Sequence, residues 1–331
     1  MKRKNSDKIR SVIHREPRDE SVPEIIQDFR FKTRRKNQLL AFLKPESFLD
    51  KTEEQIDKIF DLALEKFAGF GVSIDGAAVF PGPALEKFSI MDRHYGVINA
   101  LSKSASKALS KEDRGALFAA LGMKDKDTKV LGGHEAMEFS GIASTKKFDT
   151  MWLETPSTKV RSGFYARPMV LKNETVVVIN GFHPHQLAHY TASGRKLAVM
   201  LVSSDTSWSI LREEMLGNTF PEKANPNSIR GIMHKEAKNY GFQSVRIENN
   251  IMHLSAGPTE ALFEMDNFFK ESLGIDIADS DAKLASKLKK AGLTKEQIIR
   301  VLTDKDLHGE LEHKDTAEAV KVIRKRVKSK A

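Results

Sequence analysis

Asn249-Asn-Ile-Met-His253-Leu-Ser255-Ala-Gly-Pro-Thr-Glu260-Ala-Leu-Phe-Glu264 is the stretch on which the reading of this 331-residue chain turns. A short apolar run delivers one histidine. Residues two apart on an extended segment share a face, so Ser255 points the same way as His253. Gly257-Pro258 breaks the strand and opens a helix, with Pro early, where its missing N–H costs nothing. That helix carries Glu264 back along the flank of the histidine. A carboxylate on one imidazole nitrogen leaves the other oriented and more basic, as nucleophilic histidine chemistry needs. The same residues also read as a core histidine beside a helix cap, and the stretch alone does not separate the two.

Working outward, Gln38-Leu-Leu-Ala-Phe-Leu43 is a continuous apolar run, which predicts a buried central strand closed by Lys44-Pro45-Glu46. Glu53–Phe70 places Ile56, Ile59, Phe60, Leu62, Leu64 and Phe67 in a helical stripe. Val72–Phe80 is a second strand with a bulge or turn at Asp75-Gly76. Pro83–Leu109 reads as mostly helical, Glu112–Leu121 as a short amphipathic helix, and 123–150 as loop-rich. Val160–Leu171 and Glu174–Gly181 read as a β-hairpin joined at Lys172-Asn173. His185–Ala192 is a short helix, Lys196–Val202 a third core strand, and Trp208–Leu216 a helix ending at Gly217. Ile229–Tyr240 is helical, Phe242–Ser255 contains the last core strand, and Thr259–Leu273 is the last core helix. Strands alternating with helical crossovers predict an α/β (α+β) sandwich. The nearest standard motif is the ferredoxin-like β-α-β-β-α-β antiparallel sheet with flanking helices. Residues 1–37 read as a basic flexible arm with one short helix near Pro23–Phe29. Residues 38–274 read as the main domain with an insertion at 100–181, and 275–331 as a basic extension of three helical segments.

Composition narrows the function classes. The chain has no cysteine, which removes disulfides, thiolate metal sites and cysteine catalysis. No apolar run approaches the roughly 18 residues of a membrane span, and the charged start lacks a secretory h-region, so a cytoplasmic protein is expected. The net charge of +9 sits in the extremities: residues 1–38 carry 12 Lys/Arg against 6 Asp/Glu, and 281–331 carry 14 against 8, leaving the middle slightly acidic. A core built to read nucleic acid is therefore not expected, although the basic termini offer weak nucleic-acid contact. There is no G-x-x-x-x-G-K-[ST] and no G-x-G-x-x-G after a strand. Phosphate, if bound, must be held by side chains, and a guanidinium, hydroxyl, amide and ammonium approach His253 as Arg230, Thr219, Asn250 and Lys44. His183, His185 and His189 form another cluster, but no carboxylate completes it and no metal site is expected there.

These residues resemble one family. Lys44-Pro45-Glu46 after an apolar strand is similar to the K-P-D opening of nucleoside diphosphate kinases. Met215-Leu-Gly-Asn-Thr219 through Arg230-Gly231 resembles their L-G-x-T-N-P-x-x-x-x-P-G-T-I-R-G segment without a gap, and Asn250-Ile-Met-His253-Leu-Ser255 their N-x-x-H-G-S. Ala192-Ser-Gly194 with the following strand resembles S-G-P-V-V-A-M-V, and Glu264 falls at the family's spacing from the histidine. The similarity runs in order from Leu39 to Phe269, interrupted by long insertions.

The resemblance implies a ping-pong kinase. His253 would take the γ-phosphoryl group of a nucleoside triphosphate and pass it to a nucleoside diphosphate, with Glu264 orienting the ring and Ser255 supporting it. It also implies that Lys44, Thr219 and Arg230 hold phosphates, that Tyr95, Phe182 and Asn250 complete the nucleotide pocket, and that Mg2+ arrives with the nucleotide. A homo-oligomer is expected. Departures are Leu254 and Ala256 in the histidine turn, Phe220 and Ile232 in the loop, and Glu213 where the family has arginine. Arg212 lies one position too early. The alternative is a nucleotide-sensing or nucleic-acid-binding scaffold of the same fold. The insertion, with its hairpin, is expected to form a lid or an interface beside the nucleotide mouth.

Overall fold

The computed structural model describes residues 3–125, 128–161 and 163–328; the two terminal tips, including the end of the Lys321–Lys330 basic run, lie outside the described residues. The chain divides into two compact units, Met1–Phe88 with Ser193–Ala331, and Ser89–Ala192. The inserted unit is thus wider at both ends than the 100–181 segment expected from sequence.

In the first unit, α1 (Arg3–Ile13) precedes β1 (Glu24–Gln27), β2 (Asn37–Leu43), α2 (Glu53–Gly69), β3 (Ser73–Pro81) and α3 (Gly82–Lys87). The expected flexible arm is therefore corrected. Ile9, Val12 and Ile13 are buried, and Arg10 pairs with Asp57 at 2.8 Å. The helix expected near Pro23–Phe29 is instead the strand β1, antiparallel to β3; Ile25-Ile26, β-branched and flanked by polar residues, suits an edge strand better than a helical turn. Every residue of β2 is buried, as a central strand requires. Thr52 and Gln55 form a capping box at the start of α2. The register of β3 shifts between Ile74 and Gly76, and a Cβ at Gly76 would lie 2.4 Å from Phe29, so the bulge admits only glycine.

The second unit holds α4 (Ile90–His94), α5 (Gly96–Ala108), α6 (Lys111–Leu121), β4 (Val130–Gly132), α7 (Gly133–Ser140), α8 (Thr145–Leu153), β5 (Thr158–Arg161), β6 (Phe164–Leu171), β7 (Glu174–Ile179) and α9 (His183–Thr191). Its sheet runs β4-β7-β6-β5. The β6–β7 hairpin turns at Lys172 and Asn173, both at positive φ, as a two-residue primed turn needs. Leu101, Phe118, Phe164, Val177 and Ile179 pack together on one face. Phe148, Trp152, Met169, Val176 and Val178 pack on the other. Segment 123–150 is not the loop-rich stretch expected from its sequence. Its helices are two or three turns long, and Arg167 closes α8 by donating to the carbonyls of Met151, Trp152 and Thr155.

The first unit resumes with β8 (Lys196–Ser204), α10 (Trp208–Ile210), a π-helical turn Leu211–Leu216, α11 (Ile229–Lys235), β9 (Met252–Leu254), α12 (Pro258–Leu273), α13 (Lys283–Lys290), α14 (Lys295–Thr303), α15 (Lys305–Glu310) and α16 (Thr316–Lys328). Among the described residues the extension has four helices, where about three helical segments were expected. The sheet of the first unit runs β1-β3-β8-β2-β9 with every pair antiparallel. Leaving aside β1, the core strands in chain order lie 2-3-1-4, the ferredoxin-like arrangement expected from the alternation of elements. The last core strand is shorter than expected, because Ile247–Asn249 is a 3-10 turn and Ile251 takes φ 69°. Among the described residues, no helix is long and apolar enough to cross a membrane.

Candidate functional site

His253 stands on β9 opposite Phe42 of β2. Directly opposed residues share a face, and the two rings stack with centroids 4.5 Å apart and planes at 15°. Phe42 in turn packs on Phe268 of α12, so the same face of the sheet meets the helix that carries Glu264. His253 Nε2 lies 2.6 Å from Glu264 Oε1, and the carboxylate is fully buried. The other oxygen, Oε2, sits 2.6 Å from Ser255 Oγ. The Ser255 hydroxyl accepts from Leu40 N–H at 3.0 Å and lies 3.1 Å from Leu40 O. Carboxylate, hydroxyl and the backbone of the central strand are thus one hydrogen-bonded network, with the histidine ring within ion-pair distance of its carboxylate.

The turn into β9 is held from Lys44-Pro45-Glu46. Glu46 accepts from Ile251 N–H at 3.0 Å, Lys44 N–H donates to Ile251 O at 2.8 Å, and Ser47 Oγ donates to the same carbonyl at 3.3 Å. Ile251 is β-branched and left-handed, a conformation that costs roughly 1–2 kcal/mol. Three neighbouring groups from one 3-10 turn fix it. Lys44 Nζ donates to Asn250 Oδ1 at 2.5 Å, and Asn250 Nδ2 donates to Thr219 O at 3.1 Å. Arg230, almost fully buried, donates to Gly217 O at 3.1 Å and Met252 O at 2.9 Å. Arg212 donates to Leu254 O, the carbonyl just after the histidine.

Arg212 reaches that carbonyl because Leu211–Leu216 is a π-helical turn, with Gly217 N–H bonding to Arg212 O. A π-turn accommodates one residue more than an α-turn. The neighbouring Glu213 lies 3.5 Å from His313.

Burial and three cations set the protonation states. His253 is held well below its usual pKa, first by burial and then by Arg212, Lys44 and Arg230, so the ring is neutral at neutral pH. Burial takes Lys44 down to about 8, against the pull of Glu46 in the other direction. Glu260 is pushed up to about 8, first by burial and then by the charge of Glu264 one helical turn away; its carboxyl accepts from Ala256 N–H.

The first unit therefore brings together His253, Glu264, Ser255, Lys44, Asn250, Thr219, Arg230 and Arg212. Tyr95 and Phe182 belong to the second unit. Tyr95 bonds the Tyr190 hydroxyl at 3.1 Å. Phe182 is half-buried in the core of its own unit, edge-on to Tyr165 and tilted on Trp152. Sequence reasoning missed Glu46, Glu260 and Trp208. The last, fully buried, donates its indole N–H to Ser255 O at 2.9 Å. A Glu directly after Lys-Pro at a strand end was the available signal for the first; nothing local marks the others.

No family model matches the chain. A curated nucleoside diphosphate kinase from Sulfurisphaera tokodaii is 34% identical over 86 residues, which is 26% of this chain and 50% of that protein. The chain thus matches about half the length of this relative. Two solved structures also align: a nucleoside diphosphate kinase from Encephalitozoon cuniculi, at 12% identity and TM-score 0.35 over 73% of this chain and 95% of that one, and an NDP kinase from Pyrobaculum aerophilum, at 16% and 0.34 over 72% and 98%. In sequence, over those 86 residues, the chain is similar to a nucleoside diphosphate kinase.

Proposed function

We propose that the protein is a nucleoside diphosphate kinase working through a phosphohistidine at His253. The observation that carries this reading is the His253–Glu264–Ser255 network, with His253 Nε2 2.6 Å from a buried carboxylate. With Nε2 committed to Glu264, Nδ1 is the attacking nitrogen. Its lone pair forms the N–P bond to the γ-phosphorus as the bond to the bridging β-γ oxygen breaks, and that electron pair leaves with the nucleoside diphosphate. A terminal oxygen of a second diphosphate then attacks the same phosphorus and returns the pair to Nδ1. Glu264 balances the positive charge that develops on the ring in the first step. Lys44, Arg212 and Arg230 supply the positive field that a triphosphate needs; phosphoryl transfer depends on positioning and charge neutralisation more than on covalent help from the protein.

Magnesium arrives with the nucleotide as part of the substrate. The carboxyls of the site are engaged, Glu264 with the ring and Ser255 Oγ, Glu260 with Ala256 N–H and Glu46 with Ile251 N–H, and Lys44, Arg212 and Arg230 are cations. That donor set does not fit a hard cation held by the protein.

The test is incubation with γ-labelled ATP. Wild type should take an acid-labile, alkali-stable label that a second nucleoside diphosphate chases off, and His253→Ala should take none. An unlabelled wild type, or a label that survives His253→Ala, would sink the reading.

A further inference from the structure

The turn after His253 is gripped by the C-terminal extension. His313 N–H donates to Ala256 O at 2.8 Å. A Cβ added at Gly257 would lie 2.5 Å from Leu311 O and 3.2 Å from Glu312 Cα, so the extension's backbone lies against a position that only glycine fits. Just beyond, Asp315 Oδ1 accepts from Trp208 N–H at 2.8 Å and from Asn37 Nδ2 at 2.9 Å. Asn37 Oδ1 accepts from Thr316 N–H at 2.9 Å and from Thr316 Oγ1 at 3.0 Å. Asn37 and Thr316 are buried. Asp315 is also the start of α16, its own N–H donating to Glu318 at 3.1 Å.

Each partner of this knot leads to the histidine. Asn37 begins β2, the strand that carries Leu40 and Phe42. Trp208, whose backbone N–H Asp315 holds, sends its indole N–H to Ser255 O and begins the segment whose π-turn sets Arg212. The carbonyl held by His313 belongs to Ala256, whose own N–H goes to Glu260. His313 takes φ 62°, in the left-handed region, and its ring lies 3.5 Å from Glu213 in the π-turn.

We propose that Leu311–Thr316 is a built-in brace that holds the His253–Gly257 turn, and that Asp315 is a positioning residue for phosphoryl transfer. Its effect on catalysis rests on the kinase reading above; its effect on the turn does not. Asp315 touches no substrate and acts through Trp208 and Asn37. Removing it should slow the chemical step and leave nucleotide binding by Lys44 and Arg230 nearly unchanged.

The test compares full-length wild type, Asp315→Ala, Asp315→Asn and, as a control, Leu302→Ala, which opens a buried position of α14 within the same extension. Two quantities are read: amide hydrogen exchange over Met252–Glu260, and single-turnover labelling by γ-labelled ATP as a function of ATP concentration. Asp315→Ala should speed exchange across the turn about tenfold or more. It should lower the maximal labelling rate about tenfold while the half-saturating ATP concentration stays within about twofold. Asp315→Asn keeps an Oδ1 acceptor and should restore both. If Asp315→Ala fails to fold, Thr316→Val, which removes only the hydroxyl on Asn37, should show the same changes in smaller measure. The brace is refuted if turn exchange in Asp315→Ala matches wild type. It is equally refuted if Leu302→Ala moves both readouts as far, since a global loss of stability would then explain them. An unlabelled wild type removes the kinase reading and leaves exchange to decide the brace.

Discussion

Replacing Glu46 by alanine separates the pocket's geometry from the stability of the fold. The Glu46 carboxylate is the acceptor for Ile251 N–H at 3.0 Å, a charge-assisted bond worth about 1.5–3 kcal/mol. What it holds is a left-handed isoleucine at φ 69°, strained by about 1–2 kcal/mol. When the bond goes, Ile251 can relax toward an extended conformation and recover most of that strain. The net loss of folding stability should therefore be only about 1 kcal/mol. The pocket does not recover. Relaxation of Ile251 displaces Asn250, and with it the acceptor of Lys44 Nζ, immediately before the strand of His253. If the transition state loses the same 1.5–3 kcal/mol, labelling of His253 should slow about ten- to hundredfold. Glu46→Gln keeps an oxygen acceptor and so should keep the turn, but it removes the negative charge that raises the Lys44 pKa. Its Lys44 should lose its proton at lower pH than in wild type. The assay is single-turnover labelling with γ-labelled ATP from about pH 6 to 9, beside urea unfolding at neutral pH. Glu46→Ala should be slow throughout, whereas Glu46→Gln should be near wild type at the acid end and fall off earlier on the alkaline side. Coincident profiles for the two variants would refute the argument, and so would a Glu46→Ala protein that labels at the wild-type rate.

Two further outcomes follow from the same electrostatics. Nucleotide affinity, followed by titration calorimetry, should weaken as pH rises through about 8, where Lys44 loses its proton, and Lys44→Met should flatten that dependence. Glu260→Gln should label like wild type at neutral pH, because the Glu260 carboxyl is already protonated there. The folded-state pKa of Glu260 is raised to about 8, so its stabilising contribution is complete below its unfolded value and is lost as pH rises toward 8. Urea unfolding should accordingly show Glu260→Gln gaining on wild type over that window, by at least the ~1.4 kcal/mol of one pKa unit; parallel pH curves would contradict it.

How much was legible in the sequence depends on what each residue had to signal. The central strands announce themselves: Gln38–Leu43 and Lys196–Val202 are apolar on both faces, and a strand buried on both faces must read that way. The bulge at Gly76 and the hairpin at Lys172-Asn173 were visible because their turns need particular residues. The strand Glu24–Gln27 was not, since a four-residue edge carries too short a pattern to separate from a helical turn. The helices within 123–150 were hidden for a related reason: each depends on packing inside its own unit and on caps such as Arg167, which is distant in sequence. At the site, His253, Ser255 and Glu264 were readable because one strand and one helix place them. Asp315 and Trp208 reach the same turn only through the folded chain.

Arg212 shows where sequence registers mislead. Counted along an α-helix, the guanidinium stands one residue from its expected place and Glu213 occupies that place, which argues for a lost site. The π-turn nevertheless places the Arg212 guanidinium on Leu254 O, next to His253. One extra residue within the turn rotates everything N-terminal to it by about 100° about the helix axis, the angular step per residue, while Leu216-Gly217 stay anchored to the loop that carries Thr219 and Arg230. Arg212 can then reach the carbonyl after His253 without moving that loop, and Glu213 faces the extension, beside His313. The brace formed by Leu311–Thr316 lies on the side that Glu213 faces. The π-turn and the extension thus meet on one side of the histidine network: the turn places Arg212 on Leu254 O, and the neighbouring Glu213 lies beside His313.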